Sequence, residues 1–201
     1  MNQNRLRIIG GEWRSRLLVF PELAGLRPTP NRVRETLFNW LQGIVTGARC
    51  LDLFAGSGAL GLEALSRGAA EVVFVEQHPV AAKALRGHLT HLDAHHRAQV
   101  LETNAETYLL GTSRSFDIVF LDPPFHQGWI PRCCCQLQDR SWLTQGARIY
   151  LETEVGFSHE SLSPTWEWVR TRQAGQVGYH LLRCRAASII RQPPPPLGVG
   201  L

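Results

Sequence analysis

Asp52-Leu53-Phe54-Ala55-Gly56-Ser57-Gly58-Ala59-Leu60-Gly61 is the stretch on which the fold of this chain turns. Its glycines form a literal Gly-x-Gly-x-x-Gly between an expected strand, Cys50 to Phe54, and an expected helix, Ala59 to Arg67. The same alternation continues downstream. Strand Glu71 to Glu76 is followed by helix Val80 to Asp93, strand Gln99 to Glu102, helix Ala105 to Leu110 and strand Phe116 to Leu121. A helix near Gly128 to Asp139 and a strand Ala147 to Glu152 complete the series. Repeated βα units need crossovers that cover both faces of a parallel sheet, so an α/β fold is expected. Glu167 to Thr171 and Val177 to Arg185 then follow without a helix between them, which predicts an antiparallel hairpin at the sheet edge.

The glycine loop and Glu76, twenty residues beyond Gly56, satisfy the dinucleotide fingerprint on paper. Asp52 argues against it. A carboxylate at the strand end beside the loop would repel a pyrophosphate by several kcal/mol when partly buried. S-adenosylmethionine carries no phosphate, and its ammonium and sulfonium would be attracted there. The expected cofactor set is Asp52, Phe54, Ala55, Gly56, Ser57, Gly58 and Gly61 at the loop. Glu76 would take both ribose hydroxyls, Gln77 beside it belongs to the same cofactor set, and Asn104 and Ala105 would meet the adenine edge. The competing reading is a tight strand-to-helix turn with no ligand.

Asp122-Pro123-Pro124-Phe125 follows the expected strand Phe116 to Leu121. Two prolines stop strand and helix alike and fix the backbone, and open α/β sheets bind ligands at this end of their strands. A carboxylate, a directed carbonyl and an aromatic ring make a clamp for a planar amine. Hydrogen bonds from an exocyclic amine to the Asp122 carboxylate and the Pro123 carbonyl would aim its lone pair at a methyl carbon, with Phe125 stacked on the base.

The charge is +4 and is unevenly placed. Residues 1–34 hold Arg5, Arg7, Arg14, Arg16, Arg27, Arg32 and Arg34 against Glu12 and Glu22, so the basic excess is amino-terminal. Arg5-Leu6-Arg7-Ile8-Ile9, Gly10-Gly11 and Trp13 to Val19 read as two strands about a glycine turn, with one basic face suited to a nucleic-acid backbone. The bland alternative is a solvated hairpin face. Thr29 is the expected N-cap of a helix with Pro30 at its first position and Val33, Leu37, Leu41 and Ile44 as its apolar stripe. Arg34 and Glu35 point toward a ligand or make a surface ion pair.

The five cysteines, Cys50, Cys133, Cys134, Cys135 and Cys184, have no disulfide or zinc spacing and are read as reduced and mostly buried. His88, His91 and His95 share a helical face, and no metal is assigned to them. No run reaches the roughly 18 apolar residues of a membrane span, and the amino terminus lacks a signal-peptide core, so a cytoplasmic protein is expected. The domain division is a basic β-hairpin extension at 1–24, a catalytic domain at 25–187 and a flexible proline-rich tail at 188–201.

Asp122 to Phe125 resembles motif IV of methyltransferases that act on exocyclic amines, and Asp52 to Gly61 resembles their motif I. Arg5 to Gly11, Trp13-Arg14, Leu26-Arg27-Pro28-Thr29, Arg32 to Leu41, Leu51 to Arg67 and Ala174-Gly175-Gln176-Val177 resemble the bacterial small-subunit ribosomal RNA guanine-N2 methyltransferases of the RsmD family. The likeness runs from about residue 5 to residue 185. The proline-rich tail, the Cys133 to Cys135 run and the preference for arginine over lysine depart from the pattern, and none touches a motif. The resemblance implies a class I S-adenosylmethionine-dependent methyltransferase. Its Rossmann-like sheet would be seven-stranded and mostly parallel, with an antiparallel last strand and an N-terminal β-hairpin ahead of it. It further implies a monomer acting on 16S ribosomal RNA in small-subunit precursor particles. The expected RNA contacts are Arg5, Arg7, Trp13, Arg14, Arg16, Arg27 and Arg34. Guanine rather than adenine rests on the resemblance alone. A DNA adenine-N6 methyltransferase, a protein glutamine methyltransferase, a small-molecule methyltransferase and a non-enzymatic RNA-binding module are the alternatives.

Overall fold

A computed structural model describes residues 4–23, 28–158, 162 and 164–185 of the chain. Arg27 and the expected tail at 188–201 lie outside these residues. Seven strands form one sheet: β3 (Arg49–Asp52), β4 (Glu71–Glu76), β5 (Ala98–Glu102), β6 (Phe116–Leu121), β7 (Leu143–Glu154), β8 (Trp166–Ala174) and β9 (Val177–Cys184). Their order is β5-β4-β3-β6-β7-β9-β8. Strands β3 to β7 run parallel, and β9 is inserted antiparallel between β7 and β8. Helices α2 (Ala59–Ser66), α3 (Pro79–His91), α4 (Ala105–Leu110) and α5 (Trp129–Asp139) supply the crossovers.

Alternation along each strand divides the core between the two faces. Cys50, Val72, Phe74, Ile118, Phe120 and Tyr150 point to the face that carries the amino-terminal hairpin and α2 and α3. Leu51, Val73, Val75, Val119, Leu121 and Ile149 point to the face covered by α4 and α5. Because both faces are covered, β6 reads as an almost unbroken apolar run. Chain order reverses between β3 and β6, and a crevice at the carboxyl ends of the strands on either side of such a point is where open α/β sheets take ligands.

The hairpin is real, but its turn is not the one expected. β1 (Asn4–Arg7) pairs antiparallel with β2 (Leu17–Phe20), with Arg5 opposite Val19 and Arg7 opposite Leu17, so residues 8–16 form a long connection. Gly10 and Gly11 do not make a tight hairpin turn. A Cβ on Gly11, whose φ is +77°, would overlap the Ser66 carbonyl at the end of α2, so the glycines allow close docking of the connection on that helix. Trp13, expected at the start of the second strand and as an RNA contact, is instead buried, with its N–H donating to Ser66 Oγ at 2.9 Å.

Helix α1 (Asn31–Trp40) begins one residue later than expected. Pro30 occupies the cap position with no side-chain cap, and Thr29 is buried ahead of it. Arg34 is buried too, so it neither contacts RNA nor makes a surface ion pair. Its guanidinium donates from Nε to the Thr29 carbonyl (3.1 Å) and from NH1 to Glu63 Oε2 (3.2 Å). Its NH2 donates to the Arg7 carbonyl (2.8 Å) and to Asn31 Oδ1 (2.6 Å). Glu63, buried in α2, also accepts from the N–H groups of Ile9 (2.9 Å) and Gly10 (2.8 Å) and from Arg67 Nε (2.8 Å). Four donors fill the acceptor sites of one carboxylate. The buried pair therefore fastens the hairpin, α1 and α2 to one another.

Candidate active site

Four acids reach the carboxyl edge of the sheet from four neighbouring strands. Asp52 ends β3, Glu76 ends β4, Asp122 follows β6, and Glu152 lies near the end of β7. Leu121 pairs with Leu151 in the parallel register, which puts Asp122 and Glu152 side by side. Glu152 was not singled out in the sequence. The signal was there, since it closes the expected strand Ala147 to Glu152 as Asp122 follows its own, but only the register brings the two together. Among the described residues none of the four acids is ion-paired with a cation.

Burial pushes the Asp52 carboxyl up to about 7, against the N–H of Gly61 donating to its Oδ2 at 3.0 Å. The charges of Asp122 and Glu76 act in the same direction as burial. Asp122 is raised by burial and held down in part by a hydrogen bond from the Thr29 hydroxyl. Glu152 is raised by burial and by the neighbouring Asp122 charge, and the Tyr150 hydroxyl donating at 2.7 Å opposes that rise. Glu76 accepts at both oxygens, from the Gly56 N–H (2.7 Å) and the His78 N–H (2.7 Å), and each oxygen retains a second lone pair for a hydroxyl donor.

The glycine loop forms as the spacing predicts, although β3 stops at Asp52 rather than Phe54. Gly56 and Gly58 have positive φ, and Gly58 caps α2 in the left-handed region. A Cβ at Gly61 would overlap the Phe74 ring, so the third glycine serves helix-to-strand packing and brings its N–H to Asp52. Ala55 and Ser57 are buried in the loop, and Phe54 packs edge-on against Trp129 at 5.7 Å. Gln77 is exposed just beyond Glu76. Asn104 caps α4, its Oδ1 accepting from the Thr107 N–H at 2.8 Å, and the Ala105 methyl lies in the core, which leaves only its backbone to meet a ligand.

Pro123 is buried, Pro124 exposed and Phe125 half-buried. Beside them a cavity of about 220 Å³ is walled by Pro124, Phe125, Trp129, Phe157 and Glu154. His126 follows with φ +61°, a conformation that holds the loop in a sharp bend.

The outward face of the hairpin is mixed rather than wholly basic, for Arg5 and Arg7 alternate across the ladder with the exposed Leu17 and Val19. Arg14 and Arg16 are exposed in the connection. All five cysteines are free, with Cys50, Cys133 and Cys134 buried. His88, His91 and His95 do not converge as one group; Asp93, His95 and His96 place their ligand atoms within 4.8 Å of one another at an exposed turn.

A seven-stranded sheet with its last strand reversed, a glycine loop closing on an acid and Asp-Pro-Pro-Phe after β6 together define a class I S-adenosylmethionine-dependent methyltransferase. Within that class the chain belongs to the family of the ribosomal RNA small subunit methyltransferase D proteins, whose model, described as conserved hypothetical protein 95, matches residues 6–183. It is 45% identical to ribosomal RNA small subunit methyltransferase D of Escherichia coli over 90% of this chain and 91% of that one. The protein of the same name from Haemophilus influenzae is 40% identical over 89% of this chain and 94% of its own. The solved structure of yhhF from Escherichia coli superposes with a TM-score of 0.84 at 44% identity, covering 92% of this chain and all of that one. The 16S rRNA N2 G1207 methyltransferase (RsmC) of Thermus thermophilus, solved with AdoMet and guanosine, shares the fold at TM-score 0.67 and 22% identity, over 92% of this chain and 50% of its own.

Proposed function

We propose that the protein methylates the exocyclic N2 amine of a guanine in 16S ribosomal RNA, acting as a cytoplasmic monomer on small-subunit precursor particles. The observation that carries this reading is the position of Asp122-Pro123-Pro124-Phe125 at an edge lined by acids that have no cation partner. Such a donor set repels phosphate and suits a ligand bearing an ammonium and a sulfonium, so the residues present fit S-adenosylmethionine. Asp52 and the backbone of Gly56 to Gly58 would hold its methionine part, Glu76 the ribose hydroxyls, and the backbone at Asn104 and Ala105 the adenine.

When bound, the cofactor supplies a methyl group on an already activated leaving group. The protein then has to position the amine and exclude water. Asp122 and the Pro123 carbonyl accept the two N–H donors of the amine, which draws its nitrogen toward tetrahedral geometry. Phe125 and the apolar wall beside it stack on the unstacked base. The raised affinity of Asp122 for a proton lets it take the one released after transfer. The hairpin arginines Arg5, Arg7, Arg14 and Arg16 hold the RNA backbone, and the division at 1–24, 25–187 and 188–201 separates RNA binding from catalysis.

Mass mapping of ribosomal RNA from strains with and without this gene tests the assignment, and a single missing N2-methylguanine is the expected result. Asp122→Ala is expected to abolish methyl transfer while S-adenosylmethionine still binds. Loss of both would assign Asp122 to the fold instead.

A further inference from the structure

Strand β8 carries an irregularity that changes which way its arginines face. Trp168 pairs with Leu182 but Arg170 pairs with Leu181, so Val169 is an extra residue in the ladder. A bulge of this kind shifts every later side chain to the opposite face. Trp168, before it, packs on the α4–α5 side of the sheet. After it, Arg170 lies level with Leu181, and Arg172 level with Tyr179. Their partners across β9 are Tyr150 and Glu152, so Arg172, Tyr179 and Glu152 form one row on the face that also carries the hairpin. Trp40 of α1 stacks on Tyr179 at 5.7 Å and marks the same side.

Strand β8 runs in the direction of β6, so its last residues sit at the edge where Asp122 lies. Two strand spacings, about 10 Å, separate Arg172 from Glu152. Arg170 and Arg172 are exposed, and among the described residues neither faces a carboxylate in an ion pair, whereas Arg183 and Arg185 nearby both bind Glu167. Arg170 donates from NH1 only to the neighbouring Val169 carbonyl among the described residues, at 2.9 Å. We infer that Arg170 and Arg172 form a second RNA-contacting surface, which grips the phosphate backbone beside the target base from the side of the sheet opposite the strand edge at β5. The bulge at Val169 is what turns them to the substrate. This rests on the proposed RNA substrate, and with the hairpin it would hold the RNA on both sides of the clamp.

The test is the double variant Arg170→Gln/Arg172→Gln, read by direct binding to small-subunit particles over a salt series and by methylation kinetics. The expected result is binding weaker by at least about tenfold, a slope of log affinity against log salt shallower by about two, and a higher KM at near-normal kcat. The affinity for S-adenosylmethionine should not change. Arg49→Gln/Arg86→Gln removes two cations elsewhere and should leave the slope as it is. An unchanged slope in the β8 variant, or an equal loss in the control, overturns the inference. Deletion of Val169, where the variant folds, should reproduce the loss with both arginines present. Because binding is read directly, a wild-type protein that holds the particle without methylating it would count against the guanine reading while still deciding this one.

Discussion

Thr29 shows how much one residue's role depends on what lies across from it. As a sequence position it reads as an N-cap, yet in the structure its carbonyl accepts from Arg34 and its hydroxyl holds down the proton affinity of Asp122. A hydrogen bond to a carboxylate favours the ionised form, so its removal raises the carboxyl further and leaves less of it ionised at a given pH. Thr29→Val is therefore expected to move the acid limb of the methylation pH–rate profile upward, with a larger loss at pH 6 than at pH 8. Thr29→Ser should restore the wild-type profile. Asp52 and Asp122 were legible in the sequence because an acid at the end of an apolar strand announces itself. Trp13 and Arg34 were not, because periodicity assigns a residue to a face and says nothing about which element will cover that face.

Between elements, the ion pair of Arg34 and Glu63 does what no periodicity or motif indicates. It joins three segments that are far apart in the chain, and its partners are mostly backbone groups, which no motif records. Leaving one member of a buried pair without the other costs about 3–5 kcal/mol. Glu63→Ala is expected to lower the unfolding free energy by that order and to open the hairpin connection to protease before the sheet, a sequence of events that limited digestion with mass analysis would follow. Gly61→Ala makes a different demand, since its methyl would overlap the Phe74 ring. Overpacking of this kind costs about 1–3 kcal/mol. It would also pull the Gly61 N–H from Asp52, so weaker S-adenosylmethionine binding should accompany the lower melting temperature in calorimetry. Strands β4 and β6 matched expectation residue for residue because β-branched and aromatic runs buried on both faces have no other stable use. The hairpin turn failed for a reason of the opposite kind. Gly10-Gly11 has the composition of a turn, but glycine also permits close approach, and here the partner is the end of α2.

Across the whole molecule, charge is sorted by function: exposed arginines lie on the hairpin and on β8, while Asp52, Glu76 and Glu152 are buried and Asp122 half-buried at the carboxyl edge between them. Burying carboxylates without cations works against the unliganded fold. Asp52, Asp122 and Glu152 all hold their protons more tightly folded than unfolded. The native state therefore binds more protons than the unfolded state from about pH 4, where free carboxyls titrate, up to about 7 for Asp52. With more protons bound in the native state, stability falls as pH rises through that window, by on the order of 1 kcal/mol per pH unit for each acid that remains protonated. The melting temperature of the free protein should thus be higher at pH 5.5 than at pH 7.5. A cationic ligand reverses the sign. It favours the ionised acids, so its binding releases protons and its stabilising effect grows with pH over the same range. S-adenosylhomocysteine lacks the sulfonium charge and should release fewer protons and show a flatter pH dependence. Calorimetric titration of both ligands in buffers of different ionisation enthalpy measures the protons directly. Equal proton release for the two would mean that the acid-lined edge does not sense the sulfonium, and that the discrimination between substrate and spent cofactor lies elsewhere in the site.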